Sequence, residues 1–353
     1  MIAAILALAL SASAAPSARF ELETLAKTTD VVWGFDFLPD GRMILTERGG
    51  RLALWNPKTR ALDTVEGTPG VWAHGQGGLL DVKLHPDFAK NKLVYLTWSQ
   101  PVGDGAATAL GRGRLEGDKL AGFERLFLSD AAGAKGEHFG SRIVFDGPYV
   151  YVSLGERGNR FFAQELGRDN GKIIRLTHDG KPAGAGLPGA KPEIWSWGHR
   201  NPQGLALRPG TGELWNAEFG PRGGDELNHV TKGANYGWPA ATHGREYYGP
   251  KIGELERPGM KNPVVYWVPS ISPSGLAFYD GKAFPAWKGS AFLACLSGSE
   301  IRRVGFKDGR PAEQESLLDD KGWRFRMVRQ GPEGYLYFST DDGRLARLKP
   351  AAR

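Results

Sequence analysis

The chain has 353 residues, of which 41% are hydrophobic and 24% charged, a balance that excludes an intrinsically disordered protein. Its 50 glycines are about twice the average share but follow no three-residue period, which excludes a collagen-like chain. The net charge is +6, yet Lys and Arg do not form a run interleaved with aromatic residues, so we expect no nucleic-acid partner.

The chain begins with an apolar segment, residues 2–14 (IAAILALALSASA), that ends in small residues. It resembles a secretory signal peptide cleaved near residues 12–15, and it is too short for a stable membrane span. We predict a signal peptide over residues 1–15 and one domain over residues 16–353, periplasmic or secreted, with no membrane span. The single cysteine, Cys295, excludes internal disulfides, and its apolar surroundings (AFLACL) indicate a buried, inert thiol.

The rest of the chain repeats one pattern. An apolar strand leads through a Pro/Asp/Gly turn to a second strand, and a Gly-containing turn leads to a third, as in GFDFLPDGRMILTERGGRLALW. Copies begin 44 to 71 residues apart, near the range of propeller blades, at Gly34, Gly78, Ser141, Gly204, Gly275 and Arg324. Alternation of apolar residues within the copies predicts strands, and no stretch has a sustained helical period.

These repeats predict an all-β fold, a six-bladed β-propeller in one domain. A radial array of blades buries sheet face on sheet face and leaves only short edges. A pair of β-sandwiches is the alternative, but it does not explain six similar units. The extra residues in the third, fourth and fifth copies predict loops, and loops at one end of a propeller are a natural place for a functional site.

Polar residues stand directly before several predicted strands. His138, in GEHFGSRIVF, follows a Gly-rich turn, where an imidazole with a near-neutral pKa can act as a general base. Glu137 beside it is a candidate for orienting the ring. Gln76, in HGQGGLLDV, has a similar position. Taken singly, each is better explained by a hydrogen bond that only stabilises a turn.

The stretch from GHRNPQG to GANYGWP combines groups that suit an anion and a hard cation. Arg200 and Asn201 offer a planar donor fork and an amide. The Gly220–Pro221 turn, followed by Asp225 and Glu226, offers the oxygen ligands that calcium prefers, although the spacing does not match an EF-hand.

Near the end of the chain, Arg324 and Arg326 alternate along the predicted strand WRFRMV, next to Trp323. They suit either an anion clamp or a surface cation–π pair. The sequence has no Cys/His cluster, no phosphate-binding loop and no G-x-S-x-G motif, so zinc, nucleotides and a serine-hydrolase elbow lack support.

Together these segments resemble the soluble quinoprotein sugar dehydrogenases, specifically the aldose sugar dehydrogenase branch that uses pyrroloquinoline quinone (PQQ). The resemblance covers about residues 31–348, and its most specific pieces are GQGGLLDVKLHPDF, EHFGSRIVF, GRDNGKIIRL, GHRNPQGLAL, EFGPRGGDELN, GANYGWP and PSISPSGLAFY. It implies a six-bladed propeller with PQQ in a pocket at one end, which oxidises aldoses at the anomeric carbon.

By this resemblance, His138 accepts the proton of the sugar's anomeric hydroxyl while a hydride passes to PQQ, and Arg200 stabilises the developing negative charge. The expected PQQ contacts are Gln76, Arg200, Asn201, Tyr247, Arg324 and Arg326. The backbone carbonyls of Gly220 and Pro221 are the expected ligands of a calcium ion. A further calcium site is expected at Glu226 and the backbone of Tyr236, and Trp267 is expected to wall the sugar pocket.

One position departs from the family pattern. The family usually has a lysine contact to the cofactor after the strand of the fifth repeat, where this chain reads ACLSGSEIRR with Ser297 in the lysine's place. Two other functions stay open: a calcium-supported propeller hydrolase such as a lactonase, and a non-enzymatic propeller that binds protein or glycan. The sequence does not specify the preferred sugar, the electron acceptor, or whether the protein is a monomer or a homodimer.

Overall fold

The computed structural model describes residues 18–352, which form six four-stranded antiparallel sheets. The first strands of neighbouring sheets contact one another around a central channel, as the blades of a propeller do. The prediction of an all-β, six-bladed β-propeller is therefore confirmed. The expected signal peptide, residues 1–15, lies outside the described residues.

Five blades use four consecutive strands, numbered from the channel outward. Blade 1 contains β2 (Val32–Phe37), β3 (Met43–Glu47), β4 (Leu52–Trp55) and β5 (Leu62–Val65). Blade 2 contains β6 (Leu79–Leu84), β7 (Leu93–Val102), β8 (Gly105–Glu116) and β9 (Lys119–Leu128). Blade 3 contains β10 (Ile143–Asp146), β11 (Tyr149–Leu154), β12 (Lys172–Thr177) and β13 (Ile194–Trp197).

Blade 4 contains β14 (Pro202–Leu207), β15 (Leu214–Glu218), β16 (Asp225–Val230) and β17 (Val265–Trp267). Blade 5 contains β18 (Pro273–Phe278), β19 (Ala291–Cys295), β20 (Ile301–Lys307) and β21 (Arg310–Leu317). Blade 6 contains β22 (Phe325–Gln330), β23 (Leu336–Thr340), β24 (Arg344–Pro350) and, outermost, β1 (Phe20–Lys27) from the start of the described chain.

The ring closes through β1, which pairs antiparallel with β24 from Phe20 opposite Pro350 to Lys27 opposite Arg344. The sequence pattern does not predict this strand, because FELETLAK lies outside the repeats and exposes much of its length to solvent. The closure joins the two ends of the described chain in one sheet.

Helices are short and few in residues 18–352. They are one four-residue α-helix, α1 (Phe88–Asn91), and three 3₁₀ turns at Arg160–Gln164, Pro285–Trp287 and Asp319–Lys321. None of these segments is long and apolar enough to cross a membrane. Apolar side chains of adjacent blades pack in clusters between the sheets, and Cys295 is fully buried in one of them.

The innermost strands of five blades each contain a β-bulge. At the bulge the pairing register between the first and second strands of the blade shifts. The residues at these shifts include Trp33, Asp81, Gln203, Ser274 and Arg326. Such bulges re-aim a side chain out of the alternating pattern. The sixth inner strand is preceded by Arg142, which is 3% exposed and lies on the axis.

Arg142 ties the blades together. Its guanidinium forms a salt bridge with Asp81 at 2.9 Å, donates to the carbonyls of Gln203 and Ser274, and stacks on Trp33. Because a buried cation is stable only when it is paired and hydrogen-bonded, these contacts fix the inner strands relative to one another. The axis of the propeller is thus closed by a satisfied polar network.

Candidate active site

The segments that precede the inner strands meet at one mouth of the channel. They enclose a cavity of about 870 Å³ with loops that follow the second strands of blades 4 and 5. Of the residues expected at the site, eight line this cavity: Gln76, His138, Arg200, Gly220, Pro221, Tyr247, Ser297 and Arg324. Inner strands of a propeller run in the same direction, and this is why residues so distant in sequence gather here.

His138 is buried at the wall of the cavity, with only 7% of its surface exposed. Its Nδ1 lies 2.8 Å from a carboxylate oxygen of Glu156, which follows β11. A carboxylate can only accept a hydrogen bond, so Nδ1 carries the hydrogen and Nε2 keeps a lone pair for a bound molecule. Glu156, rather than the neighbouring Glu137, therefore orients the ring.

The surroundings of His138 keep the imidazole neutral. Burial lowers its pKa below the usual value and the positive charge of Arg200 lowers it further, while Glu156 acts in the opposite direction. Burial alone would raise the pKa of Glu156, but its hydrogen bond to His138 holds that pKa below the usual value. At neutral pH the pair is therefore a neutral imidazole beside a carboxylate, which suits a general base.

Gln76 and Asn201 support the backbone near His138. The Gln76 side-chain oxygen accepts a hydrogen bond from the His138 backbone nitrogen at 2.9 Å, and the Asn201 amide lies 3.5 Å from the same oxygen. Asn201 is fully buried, and its own oxygen accepts from the backbone of Gly140. The structure thus brings Gln76 to the cavity and places Asn201 behind it, where its contacts are with the protein.

Arg200 reaches from the start of β14 across to the loop after β15. Its Nη1 donates to the carbonyls of Phe219 and Gly220 at 3.2 and 2.9 Å, and its backbone nitrogen donates to Glu218. Within residues 18–352 its Nε is buried and has no hydrogen-bond partner. The guanidinium borders the cavity, where its positive charge can act on a bound anion.

Arg324 and Arg326 share one carboxylate, although a break in the register of β22 between Phe325 and Met327 disrupts the alternation expected for residues two apart. Both Nε atoms donate to Asp341, at 3.0 and 2.8 Å. Arg324 lines the cavity, but Arg326 turns into the channel and donates to Gln203 and Ser274. The structure therefore does not bring Arg326 to the cavity wall.

The loop from Gly220 to Gly224 is tightly folded, and Gly220, Pro221 and Gly223 line the cavity. A Cβ atom on Gly220 would lie 2.2 Å from the Gly223 carbonyl oxygen and 2.5 Å from that of Gly224, so only glycine fits there. Asp225 holds the loop in place: one oxygen accepts from the Gly220 nitrogen and the other from the backbone of Ile271 and Ser272. No group of three or more His, Cys, Asp or Glu side chains within residues 18–352 has metal-binding geometry.

Glu226 and Tyr236 both adjoin a buried pair formed by His199 and Glu218, whose Nδ1 and carboxylate lie 2.9 Å apart. Asn228 donates to Glu226 and Glu218, and the Tyr236 ring stacks on His199. Burial and the neighbouring Glu218 raise the pKa of Glu226 well above its usual value. The buried side-chain oxygen of Asn228 and nitrogen of Asn216 have no partner.

Sequence reasoning missed two charged residues of the cavity wall. Arg222 and Arg245 line the cavity, and their backbones pair across two loops. A signal was present, because Arg222 lies within the motif EFGPRGGDELN and Arg245 within HGREYYG, next to Tyr247. Four arginines (Arg200, Arg222, Arg245 and Arg324) and no Asp or Glu line the described cavity.

Ser297, in the place of the family's lysine, lines the cavity as expected. Its hydroxyl lies 2.7 Å from that of Ser272.

Trp267 was expected to wall the sugar pocket, but it does not line the cavity. It is packed between blades, and its indole nitrogen donates to Gln314. The next residues, Val268 and Pro269, form the wall instead, because Trp267 faces the blade interior.

Known proteins share this sequence pattern over nearly its whole length. The family model described as glucose/sorbosone dehydrogenase matches residues 29–347. Aldose sugar dehydrogenase YliI of Escherichia coli is 42% identical over an alignment 359 residues long. The alignment covers 96% of this chain and 95% of that protein.

Solved structures agree in fold over nearly the whole chain. The soluble aldose sugar dehydrogenase from Escherichia coli in its apo form superposes with a TM-score of 0.90 at 42% identity, over 94% of this chain and 100% of the other. The PQQ-bound form of an aldose sugar dehydrogenase from Streptomyces coelicolor has a TM-score of 0.80 at 30% identity, over 95% and 99% of the two chains.

Proposed function

We propose that this chain, which belongs to the glucose/sorbosone dehydrogenase family, is an oxidoreductase that oxidises aldose sugars at the anomeric carbon to lactones, with PQQ and calcium as cofactors. The observation that carries the proposal is that His138, oriented by its hydrogen bond to Glu156, lies at the wall of a cavity lined by four arginines and no carboxylate.

His138 would act as the general base. Its Nε2 would take the proton of the anomeric hydroxyl while the hydrogen on the anomeric carbon itself leaves as a hydride to a two-electron acceptor. The sugar thereby loses two electrons and two hydrogens and becomes a lactone. Glu156 stabilises the imidazolium that forms, because the two groups already share a hydrogen bond at 2.8 Å. A general base of this kind contributes roughly 10²–10⁴-fold to the rate.

The cavity suits a polyanionic quinone. PQQ carries carboxylates, and arginine offers the planar fork that binds them in pairs. The aldose sugar dehydrogenase from Streptomyces coelicolor has been solved with PQQ bound, which supports the same cofactor here. When bound, PQQ supplies the two-electron acceptor for the hydride. Arg200, whose guanidinium borders the cavity, would stabilise the negative charge that develops on an oxygen near it.

Calcium fits the main-chain oxygens of the Gly220–Gly224 loop better than any side-chain cluster. Hard cations accept backbone carbonyl ligands, and the Gly220 and Pro221 residues line the cavity. The Gly220 carbonyl also accepts a hydrogen bond from Arg200, so a calcium ion and the guanidinium would share that oxygen or compete for it.

A further calcium ion is proposed at Glu226 and Tyr236. A cation there would neutralise the Glu218–Glu226 pair, which has His199 as its nearby basic partner, and would satisfy the unpartnered Asn228 oxygen. Burying like charges together is unfavourable unless one is protonated or a cation is bound.

The lactonase alternative finds little support on the axis. That class needs a central cation held by side-chain carboxylates and amides, whereas this axis is occupied by the Arg142 guanidinium, which would repel a cation. A purely binding propeller gives no reason for the oriented His138–Glu156 pair.

The test is a dye-reduction assay. Protein freed of cofactor is mixed with PQQ and calcium, and reduction of an artificial electron acceptor is followed across a panel of aldoses. We expect dye reduction that requires PQQ. The rate of this reduction should fall roughly 10²-fold or more in His138→Ala. Absence of reduction with every aldose in the panel would refute the proposed activity.

Export is proposed from residues 1–15. Expression of the full chain, followed by cell fractionation and N-terminal sequencing, should recover a periplasmic or secreted protein that begins near residue 16. Recovery of the uncleaved chain in the cytoplasm would contradict it.

A further inference from the structure

We infer that Arg157 is a positioning residue for His138, and that the Glu156–Arg157 pair holds this base in two ways. Glu156 fixes the imidazole ring through Nδ1, and Arg157 fixes the backbone of the loop that carries it. This inference rests on the proposed role of His138 as the general base.

The Arg157 guanidinium is enclosed by the loop before His138. Only 1% of Arg157 is exposed, although arginine is rarely buried to this degree. Its terminal nitrogens donate to four backbone carbonyls, those of Ala106 (3.2 Å), Gly133 (3.1 Å), Lys135 (2.8 Å) and Glu137. Its plane also stacks on Phe139, 3.5 Å from the ring centroid. The contacts therefore bracket His138 on both sides in sequence.

Arg157 is not held by an ion pair in the described residues; its partners are carbonyls. Burial lowers its pKa to about 10, and the charges of Glu137 and Glu156 offset this only in part. A buried cation without a paired carboxylate costs stability, so it is retained where its geometry is needed. Arginine's rigid planar fork spreads its donors over separate nitrogens, a geometry that lysine's three donors on one nitrogen do not reproduce.

The loop needs such support because its conformation is unusual. His138 has a φ of 54°, in the left-handed region that non-glycine residues rarely adopt. Its carbonyl lies so close to Gly155 that a Cβ there would approach to 2.0 Å, and the Gly136 carbonyl accepts from Gln76 at 2.6 Å. The loop is thus pressed against the end of β11, and Arg157, three residues beyond that strand, secures it.

Secure placement of the loop has a catalytic consequence. His138 precedes β10, whereas Glu156 follows β11. Glu156 can therefore orient the His138 ring only if the Cα of His138 stays in place. A displacement of about 1 Å in a catalytic group can lower the rate by roughly 10²-fold. Loss of Arg157 should therefore lower kcat without changing the groups that touch the sugar.

The test compares Arg157→Met with Arg175→Met. Arg175 is a control in the same blade: it also donates to carbonyls, those of Ala183 and Gly184, and stacks on two rings, Tyr149 and Trp195, but none of these contacts is with the loop that carries His138. Four properties are measured for each variant: thermal unfolding, steady-state kinetics, amide hydrogen exchange over residues 133–138, and the ¹⁵N NMR spectrum of the His138 imidazole.

For Arg157→Met we expect kcat to fall roughly 10²-fold with KM within about threefold of the parent. We also expect faster exchange over residues 133–138 and loss of the single Nδ1–H tautomer. Arg175→Met should keep the parent kcat and imidazole spectrum, whatever thermal stability it loses. Arg157→Lys, which keeps the charge but not the fork, should resemble Arg157→Met and replaces it if the methionine variant does not fold.

Unchanged kcat and an unchanged imidazole spectrum in the Arg157 variants would overturn the inference, as would equal losses in Arg175→Met. The exchange and NMR measurements use protein without cofactor. They therefore test whether Arg157 positions His138 even if the parent protein fails the dye-reduction assay, so the two failures can be told apart.

Discussion

Replacing Glu156 with glutamine tests the centre of the proposed mechanism. The change removes one negative charge and keeps an oxygen that can accept the Nδ1 hydrogen of His138, so the ring should stay in place. What is lost is the charge that stabilises the imidazolium formed when His138 takes a proton. Because Glu156 favours the protonated imidazole, its loss should lower the pKa of His138 further.

The magnitude follows from the contact itself. The hydrogen bond is 2.8 Å long, buried and charge-assisted. Bonds of this type contribute about 1.5–3 kcal/mol, which corresponds to roughly a 10- to 150-fold fall in kcat. The assay is PQQ-dependent dye reduction as a function of pH. The acid limb of kcat/KM, which reports protonation of the base in the free enzyme, should move to lower pH in the variant.

Glu137→Gln is the matched control. Glu137 adjoins His138 in sequence, but the His138 ring forms its hydrogen bond with Glu156, so the charge of Glu137 affects His138 only at longer range. A loss in Glu137→Gln equal to or larger than that in Glu156→Gln would refute the reasoning. An acid limb that moves to higher pH in Glu156→Gln would do so as well.

Three further outcomes are expected. Ser297→Lys should tighten PQQ binding by no more than about fivefold in a fluorescence titration, because an exposed ion pair is worth up to about 1 kcal/mol. Ser297→Ala controls for the lost hydroxyl. A much larger gain in affinity would mean that the four arginines do not compensate for the missing lysine. Chelation of calcium should abolish dye reduction and lower the melting temperature, since an ion bound only by the folded state stabilises it; an unchanged melting temperature would count against calcium. Leu25→Ala, in β1, should lower the free energy of unfolding by about 2–5 kcal/mol in urea titration, because Leu25 is 3% exposed in the blade that closes the ring; a cost below about 1 kcal/mol would show that closure through β1 contributes little.

The fold could be predicted from the sequence because its signal is repeated. Each blade has the same alternation of strands and glycine turns, so six weak patterns support one another. The strand that closes the ring could not be found this way. β1 is the outermost strand of blade 6, and its partner β24 lies more than 300 residues away in the chain. An exposed edge strand has only weak apolar alternation, so its place depends on the tertiary structure.

The site was predictable where a residue stands before an inner strand, as His138, Gln76 and Arg200 do, because the propeller gathers those positions at one mouth. Orientation within the site was not predictable. Glu156 lies 18 residues from His138 and becomes its partner only through the pairing of β10 with β11. Arg326 was expected beside Arg324, but a bulge in β22 turns it into the channel.

Positive and negative side chains lie at different depths around the Gly220–Gly224 loop. This separation explains how the loop could lie beside an anion and also bind a cation. Arginine side chains line the cavity, whereas the acidic residues of the same region point into the protein. Asp225 accepts hydrogen bonds from the backbone of Gly220, Ile271 and Ser272, and Glu218 accepts from the backbone of Arg200. A carboxylate facing the cavity would repel an anionic cofactor at short range. By turning its carboxylates inward, the loop keeps its shape and leaves main-chain carbonyls, which carry only partial charge, to face a cation beside that anion. Asp225, one of the two acidic residues that first suggested a cation site, therefore acts at a distance, by holding the loop whose oxygens would bind the cation.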